Sequence, residues 1–371
     1  MTKTGVVAPP PGVTADFDYS HPWRFKTDLI IVGVGLSLAT LFLGMRIWTR
    51  ARILSKFGWD DVSIIAAWVF SIATQAVCLC GYTYGGAGIH LWNVTVPMFT
   101  YFQKIILVAA VIYIPSLAFA KVGLIILYHR IMNRQPGYVL TLHIISAIIC
   151  GYSIALMFTL IFACTPIQKG WDSSITTGHC VNRSALYIAT AAFNIASDLA
   201  LIVVPIPLVM GLQMPRIQKW GLLAMFMVGC ATFITSILRL QTLIPYLTAT
   251  DVTYEIAPPQ MWIYIEANLI IICPCLPFLR QFLRRYSPAW IGEATGSGRR
   301  YYKDYSTGGS ASRNRRKPGL TLLQDDIALA ERAESSHSQA RIVKEVQWQV
   351  TEERLGQQIE PQSSIELSHG I

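Results

Sequence analysis

Residues 102–128 read FQKIILVAAVIYIPSLAFAKVGLIILY, and among these residues only Lys104 and Lys121 are charged. An α-helix rises about 1.5 Å per residue and the hydrocarbon core of a bilayer is about 30 Å thick, so about 20 mostly apolar residues span it. Working outward, six more segments meet the same test. Asp28–Trp48 and Asp61–Tyr82 precede it; Tyr138–Ala163, Ala185–Val209, Trp220–Pro245 and Met261–Phe282 follow. The sequence therefore predicts an all-α integral membrane protein, a bundle of seven transmembrane helices.

Composition agrees. Of 371 residues 53% are hydrophobic and 14% charged, whereas a soluble domain carries about 25% charged residues. The apolar runs recur between Leu29 and Gln281, and the chain then turns polar. Three regions follow: an outer segment 1–27, a membrane domain 28–285 and a disordered cytosolic tail 286–371. The first 27 residues hold Pro9, Pro10 and Pro11 but no signal-peptide core, so the first helix is expected to direct insertion. The net charge of +9 does not imply nucleic acid, because 14 of the 30 Lys and Arg lie at or after Arg280, mixed with acids. That basicity suits an anionic membrane surface.

Lys and Arg in short loops resist translocation and so set orientation. Arg50, Arg52 and Lys56 follow the first helix, Arg130 and Arg134 the third, Arg216 and Lys219 the fifth. The loops 83–101 and 246–260 have no Lys or Arg, and 164–184 has only Lys169 and Arg183. The expected topology is N-terminus outside and C-terminus in the cytosol. Both sequons, at Asn93 and Asn182, fall in loops assigned outside and are candidate glycosylation sites. Cys164 and Cys180 bracket Trp171 in the same compartment, where a disulfide is permitted. Their pairing is the expected one; a bridge from Cys180 to Cys78 or Cys80, or free thiols, are the alternatives that sequence leaves open.

Motifs in chain order resemble a known family. They are Gly58-Trp59-Asp60-Asp61, Gly85-Gly86-Ala87-Gly88-Ile89-His90, Lys121 through Arg130, and Cys164-Thr165-Pro166 with Trp171 and Cys180. Asn194 and Asp198 with Pro205-Ile206-Pro207 follow, then Lys219, Gly229 and Arg239, and finally Glu266 with Cys275-Leu276-Pro277. Across about Asp28 to Phe282 the chain resembles the fungal rhodopsin-domain integral membrane proteins, or satratoxin-cluster protein 4 family, related to Pth-type receptor-like proteins. The resemblance implies a seven-helix membrane protein, often encoded beside fungal secondary-metabolite genes.

It does not imply photochemistry. A retinal Schiff base needs a lysine in the last helix, and Met261–Phe282 has none. The seven histidines, His21, His90, His129, His143, His179, His337 and His369, are scattered without ligand spacing, so neither a metal nor another cofactor is expected. Gly85 to Gly88 reads as a tight turn rather than a phosphate loop.

Ionisable residues inside a span cost free energy and call for a partner or a function. Arg239 and Glu266 lie about 9 Å and about 8 Å below the outer ends of their helices, a shared depth that suits an ion pair, which Asn268 and Gln241 extend. A structural clasp and a ligand contact are the two readings. Asn194 and Asp198, spaced i, i+4, face one way; they serve a cation, a proton or a polar ligand, or form a buried Asp–Asn hydrogen bond. Asp60 and Asp61 open a helix and cap it, with Arg130 as the alternative partner. Asp60, Asp61, Lys121 and Arg130 form the candidate cytosolic switch. Trp92, Tyr101, Trp220, Trp262 and Tyr264 read as interfacial anchors.

The functional reading is a receptor-like protein of the plasma membrane or an endomembrane. Its partners are the lipid bilayer, a small-molecule ligand and a cytosolic signalling partner reached through the tail. A metabolite or ion transporter, and an intramembrane biosynthetic enzyme using Asp198 or Glu266 as proton donor, are the alternatives.

Overall fold

The computed structural model describes residues 5–17, 22–55, 57–132, 136–172, 174–206 and 216–286. Seven helical segments among them are long and apolar enough to cross a membrane. They comprise α1 (Phe25–Trp48), α2 (Trp59–Tyr84), α3 (Val96–Met132), α4 (Pro136–Ile161), α5 (Arg183–Val203) and α6 (Arg216–Thr248). The seventh span is α7 (Ala257–Ile272), a 3-10 turn Cys273–Cys275, then α8 (Leu276–Tyr286). The tail from 287 onward lies outside the described residues, as do Lys56, Arg134 and Pro207.

Side chains are arranged inside out relative to a soluble protein. Leu41 is 67% exposed and Met227 62%, whereas Arg46, Asp61 and Lys121 are fully buried. Apolar side chains facing outward meet lipid at no cost, while charged ones pair inside the bundle. The chain is a multi-pass membrane protein.

Several helices outrun their predicted limits, because apolar content marks the lipid-immersed part and not the ends. α3 continues through Pro115 as one helix of 37 residues. The loop predicted over 246–260 is largely helical: α6 runs to Thr248, a single turn occupies Val252–Glu255, and Pro258 and Pro259 enter the first turn of α7. Proline is favoured there because the first-turn N–H groups have no helical partner.

The bundle mouth nearest the start of α1 is roofed. A disulfide joins Cys164 and Cys180 on the paired strands β1 (Cys164–Thr165) and β2 (His179–Cys180). In the loop between α2 and α3, His90 stacks between Trp92 and Tyr254, with ring centroids 4.3 Å and 4.2 Å away, and Trp23 stacks on Tyr254 at 4.7 Å. Asp251 accepts from Leu91 N at 2.9 Å and lies 2.6 Å from His90 Nδ1. The residues 5–17 run across this loop: Val6 N donates to Val94 O at 3.0 Å, and Asp16 N to Asn93 Oδ1 at 3.0 Å.

The roof depends on Gly88, whose φ is +74° and whose Cβ would stand 2.6 Å from Trp23 O. A non-glycine residue meets both a strained dihedral and a backbone clash. Gly88→Ala is expected to destabilise the protein by about 1–3 kcal/mol, read as a lowered midpoint in detergent unfolding. Gly33→Ala, with nothing within 4 Å of the added carbon, is the control expected not to lower it.

Candidate functional site

The polar groups that sequence scatters over several helices form two buried clusters. The central one begins at Lys121 on α3, which is fully buried. Its ammonium lies 2.8 Å from Asp198 Oδ1 on α5, and donates to Asn194 Oδ1 at 2.7 Å, Ser197 Oγ at 2.6 Å and Asn194 O at 3.2 Å. Three N–H donors meet four oxygens, so this amine is saturated. Tyr152 on α4 adds its hydroxyl 3.0 Å from Ser197 Oγ.

Asn194 joins this pair to a second one. Its amide nitrogen donates to Asp198 Oδ2 at 3.2 Å and, by a short bond, to Glu266 Oε1 on α7. Glu266 Oε2 accepts from the Tyr113 hydroxyl at 2.5 Å and lies 2.8 Å from Arg239 Nε on α6. The Arg239 guanidinium rests over the Tyr113 ring at 5.4 Å. Ser236 Oγ sits 2.7 Å from Asp198 Oδ2 and 2.6 Å from Glu266 Oε1. A hydroxyl has one proton, so Ser236 serves one carboxylate at a time. The cluster ties α3, α4, α5, α6 and α7 together and balances two cations with two carboxylates.

The second cluster lies at the end of the bundle opposite the disulfide. Arg46 and Arg50, one turn apart on α1 and its π-helical continuation Thr49–Ile53, meet the Asp60-Asp61 pair at the start of α2. Arg46 Nη2 lies 2.5 Å from Asp60 Oδ2 and its Nε 2.8 Å from Asp61 Oδ1; Arg50 pairs with both acids. Arg46 Nη1 also donates to Pro274 O at 2.5 Å, in the 3-10 turn of the seventh span, where proline interrupts the helical ladder. Both guanidinium groups lie over the Phe278 ring, at 4.6 Å and 4.7 Å.

The structure places the sequence candidates as follows. Asn194, Asp198, Arg239 and Glu266 come together. Lys121 belongs to that centre, because its side chain reaches α5, and not to a switch at the helix end. Asn268 instead pairs with Gln75 of α2: the two amides exchange hydrogen bonds of 3.2 Å, and Asn268 also donates to Tyr264 O at 2.8 Å. Gly35 of α1 permits this, since a Cβ there would stand 2.5 Å from the Asn268 amide. Gln241 is exposed and faces away.

Asp60 and Asp61 take Arg46 and Arg50 as partners rather than Arg130, which is exposed. Asp61 also caps α2, accepting from Gly58 N at 3.0 Å. Tyr264 is fully buried and so is no interfacial anchor. Asn182 caps α5 by accepting from Ala185 N at 3.2 Å. Sequence reasoning missed Arg46, Tyr113, Ser236 and Gln75. Arg46 and Gln75 carried a signal, being an arginine and a polar amide inside apolar runs; Tyr113 and Ser236 carried none.

Two cavities flank the central cluster. One of about 220 Å³ lies among Lys121, Tyr128, Asp198, Leu201, Met225 and Cys273. The other, about 90 Å³, lies towards the disulfide end among Cys78, Ala110, Tyr113, Arg239, Tyr246 and Gln260.

Comparison with known proteins places this architecture. A SAT4 family membrane protein of Emericella nidulans is 30% identical over 236 residues, covering 63% of this chain and 56% of that protein's length. The chain thus spans little more than half of that relative. Satratoxin biosynthesis SC1 cluster protein 4 of Stachybotrys chartarum is 26% identical, over 54% of this chain and 75% of its own. Receptor GIN3 of Arthrobotrys oligospora is 22% identical, over 72% and 65%. The profile of the fungal rhodopsin domain matches residues 45–285, from Arg46 at the base of the first helix to the end of the seventh span. By that match, over more than half its length, the chain belongs to the fungal rhodopsin domain family.

Proposed function

We propose that the chain is a ligand-responsive, receptor-like membrane protein. Its disulfide end faces outward, and its basic loops and the tail 286–371 face the cytosol, as the distribution of Lys and Arg favours. The observation that carries this reading is the central cluster itself. It plugs the bundle between two cavities and holds five helices through hydrogen bonds that can be exchanged, as at Ser236. A ligand in either cavity that favours one arrangement shifts all five helices together, which is the requirement for coupling two ends of a bundle. The name of one relative, Receptor GIN3, agrees with this reading.

Transport is the second reading, in which the plug is a gate. Proteoliposomes separate the two. A bimane label on Arg130→Cys, in a Cys80→Ser background, reports motion at the end of α3, and vesicle swelling reports flux. With neutral hydroxyketones and lactones added outside, the expected result is a saturable change in bimane emission and no swelling above protein-free vesicles. Swelling that Asp198→Asn abolishes would reassign the chain to transport.

A further inference from the structure

We infer that the smaller cavity is a binding site for a small, neutral and largely apolar molecule carrying one hydrogen-bond acceptor and one donor, such as a hydroxyketone or hydroxylactone. Two orphaned polar groups define it. Arg239 is 5% exposed and Gln260 4%, both line the cavity, and Arg239 Nη2 and Gln260 Oε1 meet no hydrogen-bond partner among the described residues. Buried polar atoms are almost always satisfied, and those that are not call for an explanation.

Their roles are opposite: the guanidinium N–H can only donate and the amide oxygen can only accept. A molecule that satisfies both presents a carbonyl or ether oxygen to Arg239 and a hydroxyl to Gln260. The remaining wall is largely apolar, with Ile105, Ala109, Ala110, Leu243 and Ile263, and its Thr74 and Thr190 hydroxyls already donate to the carbonyls of Phe70 and Leu186, so the rest of the molecule is largely hydrocarbon.

Charge excludes an acid. The Arg239 charge is already matched by Glu266 at 2.8 Å, and Lys121 by Asp198 at 2.8 Å. A carboxylate entering here would be an uncompensated buried anion, which is strongly disfavoured. Size excludes a bulky ligand: about 90 Å³ is of the order of, and below, the roughly 150 Å³ that holds benzene. The site therefore takes a short chain or the end of a longer molecule. Because the same Arg239 holds Glu266, such a ligand pulls directly on the central cluster, and in this respect the inference rests on the receptor-like reading.

Photolabelling of the full chain in lipid nanodiscs tests it, with a short-chain α-hydroxyketone bearing an alkyl diazirine and acetoin as competitor. The expected label falls on the peptides containing Ile105–Ala110 and Gln260–Ile263, and acetoin removes it. Arg239→Lys keeps a cation beside Glu266 but loses the free guanidinium nitrogen, and should weaken labelling about tenfold, the equivalent of one lost charged hydrogen bond. Ala110→Leu fills the cavity, leaves the polar cluster untouched and should abolish labelling. Label elsewhere, or label unaffected by Ala110→Leu, would overturn the site. Labelling as expected without a bimane response leaves the site and removes the receptor-like reading; a bimane response that survives Ala110→Leu does the reverse.

Discussion

Lys121→Met is expected to lower the stability of the bundle by about 3–5 kcal/mol, because it leaves Asp198 as a buried charge without its cation. Asp198→Leu alone should cost a similar amount, stranding Lys121 among Asn194 and Ser197. The double variant Lys121→Met/Asp198→Leu should recover more than half of the loss, since an apolar pair of similar size replaces a buried ion pair at little net cost. Unfolding in mixed detergent micelles, followed by tryptophan fluorescence, supplies the double-mutant cycle. Single variants that each cost below about 1 kcal/mol and simply add would mean that the pair does not hold α3 to α5.

Asp61→Ala is the second large effect. It removes an acid that faces both Arg46 and Arg50 and also accepts from Gly58 N. Two buried guanidinium groups are then left with Asp60 alone, at an expected cost of about 3–5 kcal/mol. Arg130→Ala, at an exposed position, should change stability by no more than about 0.5 kcal/mol. The same unfolding assay measures both. Equal effects would restore Arg130 as the partner of the acidic pair and remove Arg46 from that role.

The seven spans were legible because one variable, apolar length, dominates in lipid, and Leu41 and Met227 obey it wherever they face. The pairing of Arg239 with Glu266 was legible too, since depth is counted along each helix and a shared depth on adjacent helices is nearly a contact. Rotation about the helix axis was not. Asn268 sits near Glu266 in sequence yet turns to Gln75, because a glycine on α1 opens that side. Lys121, near the cytosolic third of its helix, groups by sequence with the cytosolic switch, whereas its ammonium reaches across to Asp198 and Asn194 of α5. Tyr113 and Ser236 are neutral residues in apolar helices, and only three-dimensional proximity gives them a role. The orphaned Arg239 and Gln260 atoms are of the same kind, since satisfaction of a hydrogen bond is a property of the fold.

Each buried cluster is electrically balanced, Lys121 and Arg239 against Asp198 and Glu266, and Arg46 and Arg50 against Asp60 and Asp61. Moving one elementary charge through a membrane field is worth about 2.3 kcal/mol per 100 mV. Helices that shift while carrying their partners with them move no net charge through that field. On the receptor-like reading proposed above, the transmembrane voltage would then do little work on a rearrangement in which these two clusters move intact.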